Sequence, residues 1–215
     1  MTSSVQTLND DSLDPPVRGF LHRPEHNSNA GIVLTHGAGS NSNSPLLIAV
    51  AEAFAAAGFT VLRCDLPFRQ ARSYGPPRPG VSERDRDGLR NAVATLKKLG
   101  CERIFLGGHS YGGRQATMLC AEEPDLVGGL LLLSYPLHPP RKPEQLRTRH
   151  FSQLRTPALF VHGTRDPFGT IEEMREALRA IPAVNKVVEA EKLGHELSPA
   201  LAPAILREAE CFGNA

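Results

Sequence analysis

The stretch FLGGHSYGGRQATM, residues 105–118, sets one serine between glycines where an apolar run gives way to residues of helical composition. Glycine-rich turns form wherever a chain bends tightly, so the string decides the fold only if a strand precedes it and a helix follows. RIFLGG (103–108) reads as a strand and SYGGRQATMLCAEE as a helix. Gly108-His109-Ser110-Tyr111-Gly112 then makes a strand–turn–helix elbow, whose tightness leaves no room for a Cβ at the flanking positions. The amide end of the following helix favours negative charge developing at Ser110.

On either side of this elbow, short β-branched or apolar runs alternate with helical patterns, the signature of parallel βαβ units. AGIVLTHG (30–37) is a strand. Ser44 stands as N-cap with Pro45 at the first helical position, and Gly58 closes that helix in a left-handed conformation. FTVLRCDLP (59–67) is the next strand, followed by a loop rich in Pro, Gly and Arg to about Val81. Ser82 with Asp85 three residues on reads as a capping box, as does Thr170 with Glu173. LVGGLLLLSYP (126–136) and TPALFVHG (156–163) have the continuous apolar character of central strands covered on both faces. NKVVEAE (185–191) is a last strand, and Ser198-Pro199 opens a terminal helix. The expected fold is therefore α/β: a mostly parallel central sheet with helices on both faces. Residues 1–16 are expected to be flexible, 17–215 form a single domain, and VRGFLHRP (17–24) adds an edge strand.

An ordinary serine hydroxyl is a weak nucleophile, so it needs a base, and the base needs an orienting acid. After an elbow of this kind the partners follow in the order Ser, Asp or Glu, His. His195, in EKLGHELSP, is the histidine that lies beyond the last well-placed acid. Asp166 in HGTRDPFG follows a strand at its carboxyl end, where sites in such sheets lie. Glu189 and Glu191 are weaker candidates for the acid, because they sit in or at the end of the last strand. Acyl transfer also places negative charge on an oxygen, which demands backbone donors already aimed at it. The amide of Tyr111 is one, and the loop His36-Gly37-Ala38-Gly39 supplies the other at Ala38. His36, His109 and His162 read as structural.

The bulk properties exclude several classes. A 215-residue chain with 40% hydrophobic residues and net charge +1 is an ordinary globular protein with no global pull toward nucleic acid or membrane. The N-terminus lacks the basic flank and apolar run of a secretory signal, which suggests a cytoplasmic protein. Cys64, Cys101, Cys120 and Cys211 lack the close pairing of a zinc or redox site and read as reduced structural thiols, with Cys64 near a strand end.

Taken together, these residues resemble an α/β-hydrolase, from about Gly31 to Leu197. The combination THGAGSN, CDLPFRQ, GGHSYGGR, SYPLHPP, HGTRDPFG and GHEL resembles more narrowly a branch related to dienelactone hydrolases. That branch includes a subunit of the chromatin-modifying NSL complex, small testis-expressed relatives and many bacterial predicted hydrolases. The resemblance implies an α/β-hydrolase fold, Ser110, Asp166 and His195 as a catalytic triad, and neither cofactor nor metal. One position departs: dienelactone hydrolases carry a cysteine nucleophile at the elbow, and this chain carries Ser110.

Two insertions follow strand ends and should overhang the site. FRQARSYGPPRPG (68–80) carries Arg69, Arg72 and Arg78 and no acid; LHPPRKPEQLRTRHFSQLR (137–155) has Arg141, Lys142, Arg147, Arg149 and Arg155 against Glu144. An electropositive mouth would steer anionic esters. Arg69, Arg72, Tyr74, Tyr135 and Phe168 are the substrate-binding candidates, and the second insertion is too short for more than a minimal lid. The function expected is a serine esterase for small soluble esters, anionic ones included. Its rivals are a non-catalytic scaffold of the same fold and an acyltransferase or perhydrolase using the same triad.

Overall fold

Strands whose side chains are apolar on both faces are stable only where both faces are covered, and this decides the centre of the sheet. In the computed structural model, which describes residues 4–26 and 28–213, the strands are β1 (Ser4–Asp10), β2 (Val17–Arg23), β3 (Ala30–Thr35), β4 (Thr60–Cys64), β5 (Arg103–His109), β6 (Gly129–Leu133), β7 (Ala158–Gly163) and β8 (Asn185–Ala190). The α-helices among the described residues are α1 (Pro45–Ala56), α2 (Pro67–Ala71), α3 (Ser82–Lys98), α4 (Tyr111–Glu122), α5 (Ile171–Leu178) and α6 (Ala202–Gly213). One sheet runs in the order β1-β2-β4-β3-β5-β6-β7-β8. The β1/β2 and β2/β4 pairings are antiparallel and the rest parallel.

The pleat divides the apolar strands between two cores. In β6, Leu130 and Leu132 pack with α3 and α4 on one face, while Leu131 and Leu133 pack with α1 and α6 on the other. β3 divides in the same way, with Val33 on the first face and Ile32 and Leu34 on the second. Each such leucine contributes about 2 kcal/mol by leaving water. A one-residue slip would swap every side chain between the two cores, so this patterning also fixes register.

The N-terminal segment, expected to be flexible over 1–16, carries a strand where it is described; residues 1–3 lie outside the described residues. Ser4–Asp10 is a strand paired along its length with Arg23–Val17, and β2 is therefore interior, not an edge. The side chains of β1 stay largely exposed, so backbone pairing holds it and the sequence shows no apolar alternation to announce it. The loop after β4 contains α2, with Pro67 at its start. The Thr170–Glu173 capping box forms, both bonds being present. The one read at Ser82 does not: Ser82 Oγ donates to Gln115 Oε1 at 2.7 Å, and Asp85 is drawn into the interior. No helix among the described residues is long and apolar enough to cross a membrane.

Inside the β2/β4 pair, Arg63 Nε donates to His22 Nε2 at 2.8 Å. Burial, reinforced by the Arg63 charge, pushes the imidazole down to about 4. The unfolded chain takes up this proton near pH 6.5 and the native chain only near pH 4. The stability contribution of neutral His22 is thus complete above pH 6.5 and declines as the pH falls toward 4. Urea midpoints at pH 7 and pH 5 should drop less in His22→Gln, which keeps an acceptor for Arg63 but does not titrate. An equal drop in both proteins would assign the acid sensitivity elsewhere.

Candidate active site

β5 ends at His109 and α4 begins at Tyr111, so Ser110 alone makes the turn, with φ 51° and ψ −116°. A non-glycine residue in this region costs roughly 1–3 kcal/mol. Bonds on both sides hold it, from Ser110 N–H to Leu133 O at 2.8 Å and from Arg114 N–H to Ser110 O at 3.0 Å. A Cβ on Gly108 would sit 2.8 Å from the Gly112 and Gly113 backbone, and one on Gly112 2.6 Å from His36 O. The glycines flanking the serine are therefore required by close approach of strand, helix and the loop after β3.

The loops after β7 and β8 are stitched together by Thr164 N–H donating to Ala190 O at 3.1 Å and Arg165 N–H to Leu193 O at 2.8 Å. This carries His195 back over the sheet. Its Nδ1–H donates to Asp166 Oδ2 at 2.8 Å, and its Nε2 lies 2.7 Å from Ser110 Oγ. With the proton held at Nδ1, the Nε2 lone pair is free to accept the Ser110 hydroxyl proton. The Asp166 side chain is fully buried, and its Oδ1 accepts the Phe168 N–H at 2.9 Å. Neither Glu189, ion-paired with Arg175, nor exposed Glu191 takes the acid's place.

Three further contacts brace the loops that carry Asp166 and His195. The Phe168 ring lies against the His195 imidazole, centroids 4.2 Å apart and planes 33° apart. His109 Nε2–H donates to the His195 carbonyl at 3.0 Å, and His162 Nε2–H donates to the Gly169 carbonyl at 2.8 Å beneath the Asp166 turn. Burial lowers the pKa of both histidines, which keeps them neutral braces. His36 is also neutral and fully buried, its Nε2 accepting the Leu66 N–H at 3.1 Å.

The Tyr111 amide is the first of α4 and has no intrahelical acceptor. Across from it, a Cβ on Gly37 would lie 3.4 Å from Ser110 Cβ, so the loop carrying Ala38 abuts the serine. Ser40 N–H closes a turn on Gly37 O at 3.1 Å. Arg69 spans this loop: its Nε donates to Ser40 O at 2.7 Å, and its Nη2 to Ala38 O at 2.8 Å and Gly75 O at 2.9 Å.

Arg69 is thus a strut, only 6% exposed and engaged with backbone carbonyls, and not a substrate ligand. Tyr135 also departs from its expected role. It is 1% exposed, packed between Phe151 and Phe160, with its hydroxyl donating to Arg147 O at 2.7 Å. Tyr74 points to solvent, 78% exposed, and Arg72 is half-buried with its guanidinium beside Gly75. Phe168, of the five candidates, has its ring against His195. Cys64 is buried, and burial pushes its thiol up to about 12, so it is no rival nucleophile.

Sequence reasoning missed Asp85. Fully buried, it accepts from Tyr111 O–H at 2.7 Å and Phe68 N–H at 3.0 Å, and burial raises its carboxyl pKa. It ties α3 to the first residue of α4 and to α2. Nothing in its own neighbourhood announces this, because both partners come from other elements.

The profile of a family described as Alpha/beta hydrolase domain matches residues 28–205. Among solved structures, the dienelactone hydrolase of Anabaena variabilis superposes with TM-score 0.78 at 22% identity, covering 100% of this chain and 99% of that one. Est1E of Butyrivibrio proteoclasticus gives 0.76 at 19%, covering 99% of each. A lidless α/β serine hydrolase of Xanthomonas campestris gives 0.72 at 16%, covering 97% of this chain and 95% of that one. A Pseudomonas 2-hydroxy-6-oxononadienedioate/2-hydroxy-6-oxononatrienedioate hydrolase is 28% identical over 127 residues, 57% of this chain. The match spans less than half of that relative, 43% of its length.

Proposed function

We propose, since the chain belongs to the alpha/beta hydrolase domain family, that it is a serine hydrolase of the carboxylesterase type acting on small soluble esters in the cytoplasm. The observation that carries the reading is the continuous line of hydrogen bonds from Asp166 Oδ2 through His195 to Ser110 Oγ. In this mechanism Ser110 Oγ attacks the ester carbonyl while His195 Nε2 takes its proton. The Tyr111 and Ala38 amides receive the oxyanion. His195 then returns the proton to the leaving alcohol, and water deacylates the serine by the same route. Asp166 holds the tautomer and stabilises the imidazolium.

The small-ester preference is supported by the segment 137–155, whose regular structure is one 3-10 turn, Phe151–Gln153, with no lid domain. Because Arg69 is engaged by backbone carbonyls, a preference for anionic esters falls to Arg72 and the basic residues of 137–155.

The test is intact-mass spectrometry after exposure to a fluorophosphonate, which reacts with activated serines. One adduct on the unaltered chain and none on Ser110→Ala is the expected result. A folded, unlabelled chain would turn the reading toward a scaffold.

A further inference from the structure

A cavity of about 230 Å³ lies at the opposite end of the sheet from Ser110. It is bounded by the amino ends of β5, β6 and β7 and by the last turns of α6. Ser110, Asp166 and His195 all lie at the carboxyl ends of the strands, so the two sites share no residue. Gly129, on the same face of β6 as Leu131, places no side chain between the sheet and α6. Phe59 and Phe105, rings 6.1 Å apart, form one wall, Leu131 the floor, and Ala209 and Phe212 the cover.

Two features define an occupant. An apolar lining offers water almost no hydrogen bonds, so such a space stays dry or takes an apolar guest. Its boundary also includes one charged residue, Arg103. This side chain lies 5.7 Å from the Phe105 ring centroid and, among the described residues, forms no salt bridge. A cation beside an apolar hollow complements a molecule with an apolar body and a single anionic head. We infer that this cavity is a second, non-catalytic binding site for a medium-chain carboxylate, its chain between Phe105 and α6 and its carboxylate on Arg103. An engineered apolar cavity of about 150 Å³ admits benzene, so this one takes a chain of roughly eight to ten carbons. The site stands whether or not Ser110 is a nucleophile.

Titrating the full chain with decanoate while following methyl NMR signals tests this directly. The Ile32 and Leu159 methyls, which line the cavity, should shift saturably. Leu137, which packs on Gly169 at the triad end, should not. Ala209→Phe should abolish the shifts by filling the space. Arg103→Gln, at an exposed position, should weaken decanoate about threefold to tenfold and leave decan-1-ol unchanged. Shifts confined to Leu137, no saturable shift, or equal weakening of decanoate and decan-1-ol by Arg103→Gln would each overturn the inference. Because Arg103→Gln leaves the apolar part of the lining intact, it remains decisive even if Ala209→Phe disturbs the packing of α6.

Discussion

Replacing Ser110 with alanine should lower turnover of p-nitrophenyl acetate by at least about a thousandfold, because a triad without its nucleophile loses covalent catalysis as a unit. The change removes one oxygen from a residue whose φ of 51° is held by the bonds to Leu133 and Arg114, and alanine suffers the same backbone strain as serine there. The fold should therefore survive, and the thermal midpoint should stay close to that of the unaltered chain. Residual rate above water would come from the Tyr111 and Ala38 amides, which the substitution leaves in place. A folded variant retaining even about a tenth of the activity would show that some other group attacks the ester, since no secondary effect at this position accounts for so small a loss.

Asp166→Asn should cost roughly 10³- to 10⁴-fold in kcat, because it inverts the His195 tautomer and removes the charge that stabilises the imidazolium. Asp166 accepts twice, from Phe168 N–H at 2.9 Å and from His195 Nδ1–H at 2.8 Å. Asparagine can keep its oxygen on the Phe168 amide, which turns its NH₂ toward Nδ1. The imidazole then carries its proton on Nε2 and cannot accept from Ser110 Oγ, although every heavy atom stays in place. Steady-state kinetics on Asp166→Asn, with Glu189→Gln and Glu191→Gln alongside, separates the candidate acids. Glu189 is ion-paired to Arg175 and Glu191 is exposed, so both controls should retain nearly full activity. A large loss in either control with little in Asp166→Asn would reassign the acid.

The two substitutions differ in what they leave standing. Ser110→Ala removes the attacking atom and should also abolish fluorophosphonate labelling. Asp166→Asn keeps that atom and should slow labelling by a similar factor to turnover, since both depend on deprotonation of Ser110. Normal labelling together with normal ester turnover would mean that His195 acts without its orienting acid.

Much of this site can be read along the chain. The elbow is readable because its requirements are local: a strand, one serine, glycines on both sides and a helix. Asp166 and His195 are readable because order along the chain and position at a strand end are properties of sequence once the strands are found. The five substrate-binding candidates fare worse for a physical reason. Arginine and tyrosine at a strand end serve equally as solvent-exposed ligands or as buried braces, and the difference lies in which carbonyls the rest of the chain brings to them. Arg69 meets four, those of Ala38, Ser40, Arg72 and Gly75, and becomes a strut. Tyr135 meets Arg147 O and two phenylalanine rings, and becomes core. Phe168 escapes that ambiguity because it is two residues from Asp166, whose side chain fixes its amide.

Hydrophobic period, turn glycines and chain order act over a few residues, and they were enough to specify the parallel sheet, the elbow and the order Ser110, Asp166, His195 along the chain. Three-dimensional packing was needed to reveal that Ser4–Asp10 pairs as an edge strand, that Asp85 leaves its helix cap to grip Tyr111, and that His109 holds the His195 carbonyl. In each case a backbone or side-chain polar group finds its partner in another element, and without that partner it would bear the cost of leaving water. The distal cavity depends on the fold in the same way, because the gap at Gly129 becomes a pocket only when α6 packs across it.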